Sequence, residues 1–544
     1  MKNRNSIPAV FISGAFAGII LFILIYGLKI VNPCYDAWIF NTGDRDIMQH
    51  YLGWCHFRTS PWHRHIGLID SLSYPVSMSV VWTDSVPMFA VIFKLFRAVL
   101  PETFQYLGIF GLLSFLLMGA LSAVLIYRIT GSFITSVISS PFFVISFPMI
   151  HRMFYHTSLT AQWLIILAFI IWFSDVCSLS MPKRILIYSG YGILAISIHP
   201  YLWAMGTAII IFSLIEELIS DKKIHKFIIF CLSIFLPSFS VLYLLGGFYG
   251  DVSASYGTGE FECNLNSFIN SMGHSSFLPS LPVCFEQYEG FAYLGLGMII
   301  LVIISLSLFI VKKYRLDIRK RLIISLMIIF SLFAVCPNIS INDHVIVTLK
   351  FPSFISQLMG IFRSCGRFIW PVMYMIMAAV IYYISGSLRK ISAVIIIFVC
   401  LIIQFADISS YLTQKHQIFA DNNYTYTTSF DESSALSSVI SSYKHIIIVP
   451  MDGDLEMQAA YYAYEHHLSI NRFYFARDIV SAENNVLDSY KDDMSKEKYS
   501  KDFLFIFNSD TVDEYKQYDL HLYSFNNWIL GSVQIIPGLE EYGH

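Results

Sequence analysis

The sequence predicts an all-α polytopic membrane protein with a small α/β soluble domain at its C-terminus. Three observations predict it. Of 544 residues, 56% are apolar and 13% charged, and that charged share is about half of what a soluble domain holds. Mean hydropathy is +0.60, and apolar runs recur from residue 9 to residue 411 often enough for about 11–13 transmembrane helices. The charge is also split. Residues 413–544 hold 20 acidic and 9 basic side chains, a net of −11, against +8 for residues 1–412. This pattern excludes disorder, a fibrous repeat and an ordinary cytosolic enzyme. Neither part is basic enough to predict a nucleic-acid partner.

The start, residues 1–8, is short and basic, with Lys2 and Arg4. Residues 9–30 are then apolar for longer than the core of a cleaved signal peptide, so they read as a retained first span with a cytoplasmic N-terminus. Residues 32–83 are polar and aromatic, rich in Trp, His and Asp, and read as a large first periplasmic loop with short helices. Apolar runs follow at about 86–100, 104–127, 133–150, 157–174, 184–199, 201–219, 226–247, 291–311, 321–336, 343–360, 368–386 and 391–411. Several fall short of the roughly 20 residues of a full span. These read as half-helices or re-entrant segments, which need protein over their free backbone groups.

Three basic loops mark the cytoplasmic side: Lys222, Lys223 and Lys226; Lys312, Lys313, Arg315, Arg319, Lys320 and Arg321; Arg389 and Lys390. That orientation puts residues 32–83, a second large loop at 248–290, the stretch 338–367 and the acidic tail in the periplasm of a bacterial inner membrane. The parity closes if one helix between residues 100 and 219 is short or broken, at the Pro141/Pro148 segment or at His199-Pro200. Residues 1–412 therefore form the transmembrane domain and residues 413–544 a periplasmic domain. In the latter, His445–Val449 and Phe503–Phe507 read as buried strands and Leu455–His467 as an amphipathic helix, with the role of a lid or docking platform. Cys263 and Cys284 share one outer loop, where an oxidising compartment favours a disulfide. No cysteine spacing matches a metal site.

Five places carry candidate chemistry. Gly43-Asp44-Arg45-Asp46-Ile47-Met48-Gln49-His50-Tyr51-Leu52-Gly53-Trp54 lies in the first outer loop. Asp46 and His50 are four apart and share a face on a helix. With Gln49 and Trp54 they read as a polar pocket with aromatic walls, where a carboxylate can take a proton or hold a divalent cation. The plainer reading is a solvated interfacial helix. Asp84 reads as the N-cap of the second span, or as an acid at the mouth of a site. His151-Arg152-Met153-Phe154-Tyr155-His156 places Arg152 and His156 in an apolar body, where such groups need partners. Depending on orientation, Arg152 binds a lipid phosphate or serves as a topogenic charge. Glu289 stands where loop 248–290 enters a span, as a helix-start acid or a sugar-contacting carboxylate. Arg363 and Arg367, four apart, read as one helical face suited to phosphate, or as snorkelling structural arginines. No glycine-rich nucleotide loop appears in a strand–helix context, so the donor is not expected to be a nucleotide sugar.

The first-loop block from Asp46 to Trp54 is followed in order by Ser60-Pro61-Trp62, Tyr74-Pro75, Thr83-Asp84-Ser85, Gln287-Tyr288-Glu289-Gly290-Phe291-Ala292-Tyr293-Leu294-Gly295 and Phe362-Arg363 to Trp370-Pro371. This layout resembles the GT-C superfamily of polytopic glycosyltransferases. It is more closely similar to an uncharacterised bacterial membrane family related to those enzymes, over about residues 30–410. The resemblance implies inverting transfer of a sugar from a polyprenyl-phosphate donor to a glycan acceptor, such as O-antigen, at the periplasmic face. It implies Asp46 as base, with Asp44 second, and Arg363 and Arg367 on the donor phosphate. His50, Trp54, Asp84, Arg152, His156 and Glu289 are then candidate substrate contacts. Asp44-Arg45-Asp46 fits the superfamily's short acidic pattern, and a divalent cation is compatible with it. No Trp-Trp-Asp motif is present, which argues against transfer to protein Asn. A flippase or transporter of lipid-linked sugars, and a glycan polymerase or ligase, are the alternatives.

Overall fold

The computed structural model describes residues 6–250, 259–284, 286–311, 317–421, 423–449, 453–477 and 501–543. Lys312, Lys313 and Arg315 of the strongest basic loop lie outside the described residues. The chain is mostly helical. Six helices among the described residues are long and apolar enough to cross a membrane: Ile7–Tyr26, Leu107–Thr130, Pro200–Asp221, Ile224–Leu244, Cys365–Ser387 and Lys390–Asp407. Phe133–Val144, Thr157–Trp172 and Leu296–Phe309 are shorter and apolar. Helices Met181–Ile198 and Ile318–Val335 are comparably long but begin with basic residues.

Contacts divide the chain into two units that interleave in sequence. The first comprises Met1–Tyr35, Gln105–Phe239 and Ala254–Asn422. Its tightest helix pair is Ile7–Tyr26 with Leu107–Thr130. Gly14 and Gly18 form a small-xxx-small stripe on the former, and Gly119 faces it. A Cβ added at Gly14 would strike the Gly119 carbonyl, and one at Gly18 the Phe115 carbonyl. Small residues let the two backbones meet, and dispersion then holds the helices where lipid supplies no hydrophobic drive. An aromatic cluster of Phe22, Tyr26, Phe115, Phe154 and Phe419 closes the end of the pair.

The region expected to hold a broken helix contains two breaks. Pro141 lies inside the 12-residue helix Phe133–Val144, and a six-residue helix, Phe147–Arg152, follows it. His199 ends Met181–Ile198 in extended backbone, and its Nδ1 accepts from the Tyr201 amide at 3.1 Å to start the next helix. The apolar run 343–360 is not a single helix. Asn338–Ile341 and His344–Thr348 form an antiparallel hairpin across Asn342-Asp343, followed by the nine-residue helix Ser353–Ile361. The β-branched Val345-Ile346-Val347-Thr348 favours strand, and Asn342 takes the positive φ of a tight turn. The open question of a Cys263–Cys284 disulfide is answered by the geometry: both are free thiols, and the Cys263 thiol is buried 3.1 Å from the Ser267 hydroxyl.

The second unit comprises Asp36–Phe104, Ser240–Ser253 and Asn423–His544, so the first large loop and the C-terminal segment fold together. A five-stranded sheet runs in the order Ser469–Ile470, His445–Ile448, Phe503–Phe507, Trp528–Ser532, His521–Phe525. The first three strands are parallel and the last two close as an antiparallel hairpin. Ile446–Ile448 and Leu504–Phe507 are buried throughout, as strands covered on both faces should be. Helix Gly453–Glu465 connects the interior strand His445–Ile448 to the parallel edge strand Ser469–Ile470 and packs on the first-loop helix Arg45–Thr59. Between them His56 is buried. Its Nε2 donates to the Ala460 carbonyl at 2.9 Å, so its Nδ1 must accept from the Ser71 hydroxyl at 2.7 Å. The run 86–100 yields only the nine-residue helix Pro87–Leu95, which at about 14 Å is too short to cross a bilayer.

Candidate functional site

In the second unit the first-loop acids start a helix. Asp44 is the N-cap of Arg45–Thr59, in extended backbone, and its Oδ1 accepts the Asp46 amide at 2.8 Å. The cap satisfies one free amide, and both acids stand at the positive end of the helix dipole. Asp46 occupies the first turn, half-buried. One turn on, His50 is 1% exposed. Its Nε2 lies 3.4 Å from Asp84 Oδ2. Burial pushes its imidazole down to about 3, so it is neutral near pH 7. Its Nδ1 is buried and has no hydrogen-bond partner among the described residues.

Asp84 is not the N-cap of the following helix; Val86 is. The reason is backbone geometry. Asp84 and Val86 both take left-handed φ, at 52° and 49°, and a β-branched residue there is strained. The turn is held from the first-loop helix: Ser85 Oγ donates to the His50 carbonyl at 2.6 Å and is 2.8 Å from Thr83 Oγ1. Gly53 allows this approach, because a Cβ there would strike Thr83 and Ser85. The turn spends its strain on aiming Asp84 at His50. Trp54 stands apart from this group. It is buried against Phe93 and Phe104, and its indole donates to the Phe104 carbonyl at 2.8 Å.

The C-terminal segment supplies residues that sequence reasoning missed. Gln49 Nε2 donates to the Tyr474 carbonyl at 2.6 Å. The Arg45 guanidinium lies 4.6 Å from the Tyr474 ring centre. Glu456, buried on helix Gly453–Glu465, stands 3.8 Å from Arg45 and 3.9 Å from Arg472. The Ala476 amide donates to the Trp82 carbonyl at 2.8 Å, and the Arg477 guanidinium lies 5.4 Å from the Trp82 ring. The signal was the mixture of arginines and aromatics in Asn471-Arg472-Phe473-Tyr474-Phe475-Ala476-Arg477.

In the first unit three predicted residues converge. Glu289 accepts from Arg152 Nη2 at 2.7 Å and Nη1 at 3.3 Å, and from Arg367 Nε at 2.6 Å. All three are buried. Glu289 lies in the short turn Gln287–Gly290, ahead of helix Leu296–Val311 rather than at its start. Burial would raise its carboxyl, but Arg152 and Arg367 beside it, with His156 adding to them, hold it well below the usual range. Loop side chains fix the turn: Asn264 Nδ2 donates to Gln287 Oε1 at 2.8 Å, and Gln287 Nε2 to Ser340 Oγ at 2.6 Å. The Arg367 guanidinium lies 4.8 Å from the Tyr201 ring, whose hydroxyl accepts the Ser364 amide at 2.9 Å.

Arg363 does not share a helical face with Arg367. Helix Ser353–Ile361 ends before it, and Arg367 belongs to the 3-10 turn Cys365–Ile369. Arg363 is half-buried, with its guanidinium 5.8 Å from the Phe261 ring. A further buried cation, Lys415, unmarked by any motif, lies 4.1 Å from the Tyr155 ring. Among the described residues no three His, Cys, Asp or Glu side chains group as metal ligands would.

Residues 15–409 match the model of a domain of unknown function, DUF6311, and residues 435–533 match the DUF6311 C-terminal domain. The chain belongs to the DUF6311 family. No curated protein matches it.

Proposed function

We propose that this DUF6311 protein is an integral membrane glycosyltransferase of GT-C type. It moves a sugar from a polyprenyl-phosphate donor to a cell-surface glycan, for example O-antigen, at the periplasmic face of the inner membrane. The observation that carries this reading is the buried meeting of Arg152 and Arg367 on one carboxylate. Two guanidiniums against one Glu leave a net positive charge where water is scarce, a setting that suits a phosphate. The first-loop acids are the candidates for the base. An acceptor hydroxyl attacks the anomeric carbon, the bond from that carbon to the phosphate oxygen breaks with inversion, and prenyl phosphate leaves. Asp46 takes the hydroxyl proton, since the Asp44 carboxylate already caps the helix. Arg367 and Arg152 offset the charge on the leaving phosphate, and Arg363 adds a more exposed contact.

Among the described residues six helices are long and apolar enough to cross a membrane, with three shorter apolar ones and two that begin with basic residues beside them. A multi-helix apolar body of this kind is what a GT-C-type enzyme with about 11–13 helices, some of them short, calls for. The test is the surface glycan, compared by mass spectrometry between cells with the gene, without it, and with Asp46→Asn. Loss of one sugar in the last two is expected; identical glycans in all three sink the proposal. A second reading, a flippase of lipid-linked sugars, draws on the same buried Arg152–Glu289–Arg367 cluster, since charges inside an apolar body also mark transport paths. Lipid translocation by the reconstituted protein, without a new glycosidic bond, would favour it.

A further inference from the structure

Among the buried polar atoms of the second unit that lack a hydrogen-bond partner among the described residues are His50 Nδ1 and the Trp82 indole Nε1. Buried polar groups are nearly always satisfied, so each such exception asks for an explanation. Asp84 sets the chemistry of the first. A carboxylate at 3.4 Å favours the proton on His50 Nε2, which leaves Nδ1 as a bare acceptor. Trp82 is two residues before Asp84 and offers only a donor. His50 Nδ1 offers an acceptor and the Trp82 indole a donor, the two complements of sugar hydroxyls, which both give and take hydrogen bonds.

We infer that His50 and Trp82 form the acceptor-binding subsite of this protein, taking sugar hydroxyls of the glycan through His50 Nδ1 and the Trp82 indole N–H. This rests on the glycosyltransferase reading and adds to it the residues that hold the acceptor. Asp84 is the positioning residue: it keeps the His50 tautomer. Both atoms are covered in this structure, so the segment 472–477, tied to Gln49 and to the Trp82 carbonyl, shifts to admit the glycan. It is also held by Arg472, 3.9 Å from Glu456, and by the Arg45–Tyr474 and Arg477–Trp82 ring contacts at 4.6 and 5.4 Å, so admitting the glycan has to displace these contacts as well. The C-terminal segment is thereby a cover of the acceptor subsite.

The experiment uses membranes from cells lacking the gene, whose glycan serves as acceptor, mixed with membranes that hold the full chain and its donor. Trp82→Phe removes one N–H and keeps the ring; His50→Gln keeps an acceptor oxygen; His50→Phe keeps neither polar atom. Trp82→Phe is expected to raise the acceptor KM about five- to tenfold, the worth of one hydrogen bond, with kcat nearly unchanged. His50→Phe is expected to raise it further and His50→Gln to restore part of it. A merely structural role would instead lower the amount of active protein, seen as a fall in kcat at constant KM. An unchanged acceptor KM in Trp82→Phe and both His50 variants overturns the subsite, even where the wild-type chain transfers sugar. Absence of transfer by the wild-type chain overturns the parent reading instead.

Discussion

Glu289 shows at the residue scale how a single carboxylate can organise a site. It is buried and accepts from two guanidiniums. Removing one partner of such a group strands buried charge, at a cost of about 3–5 kcal/mol. Glu289→Gln should therefore lower thermal stability by a large margin, measured on the purified protein. Arg363→Gln should leave stability within about 0.5 kcal/mol, as for a half-exposed side chain away from the cluster. Equal losses in the two variants would contradict the separation of Arg363 from Arg367. His50 and His56 make a second residue-scale case. Burial lowers them to about 3 and about 4, below the ordinary value near 6.5. The unfolded chain therefore binds their protons first as pH falls. Their contribution is complete above about pH 6.5 and is lost toward pH 3–4, by about 2 kcal/mol for each histidine between pH 6.5 and 5. Unfolding followed at pH 7 and pH 5 should show this loss, and His56→Asn should reduce it.

At the element scale, close backbone approach governs the helices. Gly14, Gly18 and Gly119 let Ile7–Tyr26 and Leu107–Thr130 touch. Gly18→Leu should cost at least about 1–3 kcal/mol, since the obstructing atom is backbone and cannot rotate away. Gly190→Ala is the matched control: nothing lies within 4 Å of its added Cβ, and helix propensity favours alanine. Thermal unfolding in detergent compares the two, and equal effects would remove the packing argument. Gly53 works in the same way for a loop. Alanine there would push Thr83 and Ser85 outward and take Asp84 from His50, so Gly53→Ala should mimic Asp84→Asn in the acceptor assay.

For the whole molecule, the second unit joins residues far apart in sequence. His56 to Ala460, Gln49 to Tyr474 and Asn41 to Thr425 each span more than 380 positions. A chain ending at residue 422 should leave residues 36–104 without these partners, and limited proteolysis should then cut within the helix Arg45–Thr59, which is largely buried in the full chain. Equal cutting in both chains would show that the first loop folds unaided.

Much of this was legible in the sequence, because composition and local pattern act over one helix or strand. Apolar length sets which segments suit a bilayer, and the buried runs His445–Ile448 and Phe503–Phe507 show as strands by their β-branched and aromatic content. The Pro141 and His199-Pro200 breaks follow from proline's missing donor. The Asp44 cap was not legible in this way: the residue pattern reads Asp84 as an N-cap, and Asp44 takes that role instead. Three things depended on tertiary structure. Arg152, Glu289 and Arg367 meet although 215 positions separate the outer two, and Arg363 is left out by a bend that spacing alone reads as helix. His50 finds its acid in Asp84 rather than Asp46, through a strained turn. The first loop takes its partner from the C-terminal segment. In each, a buried polar group has to be satisfied by whatever the fold brings near, and long-range proximity leaves no local pattern in the chain.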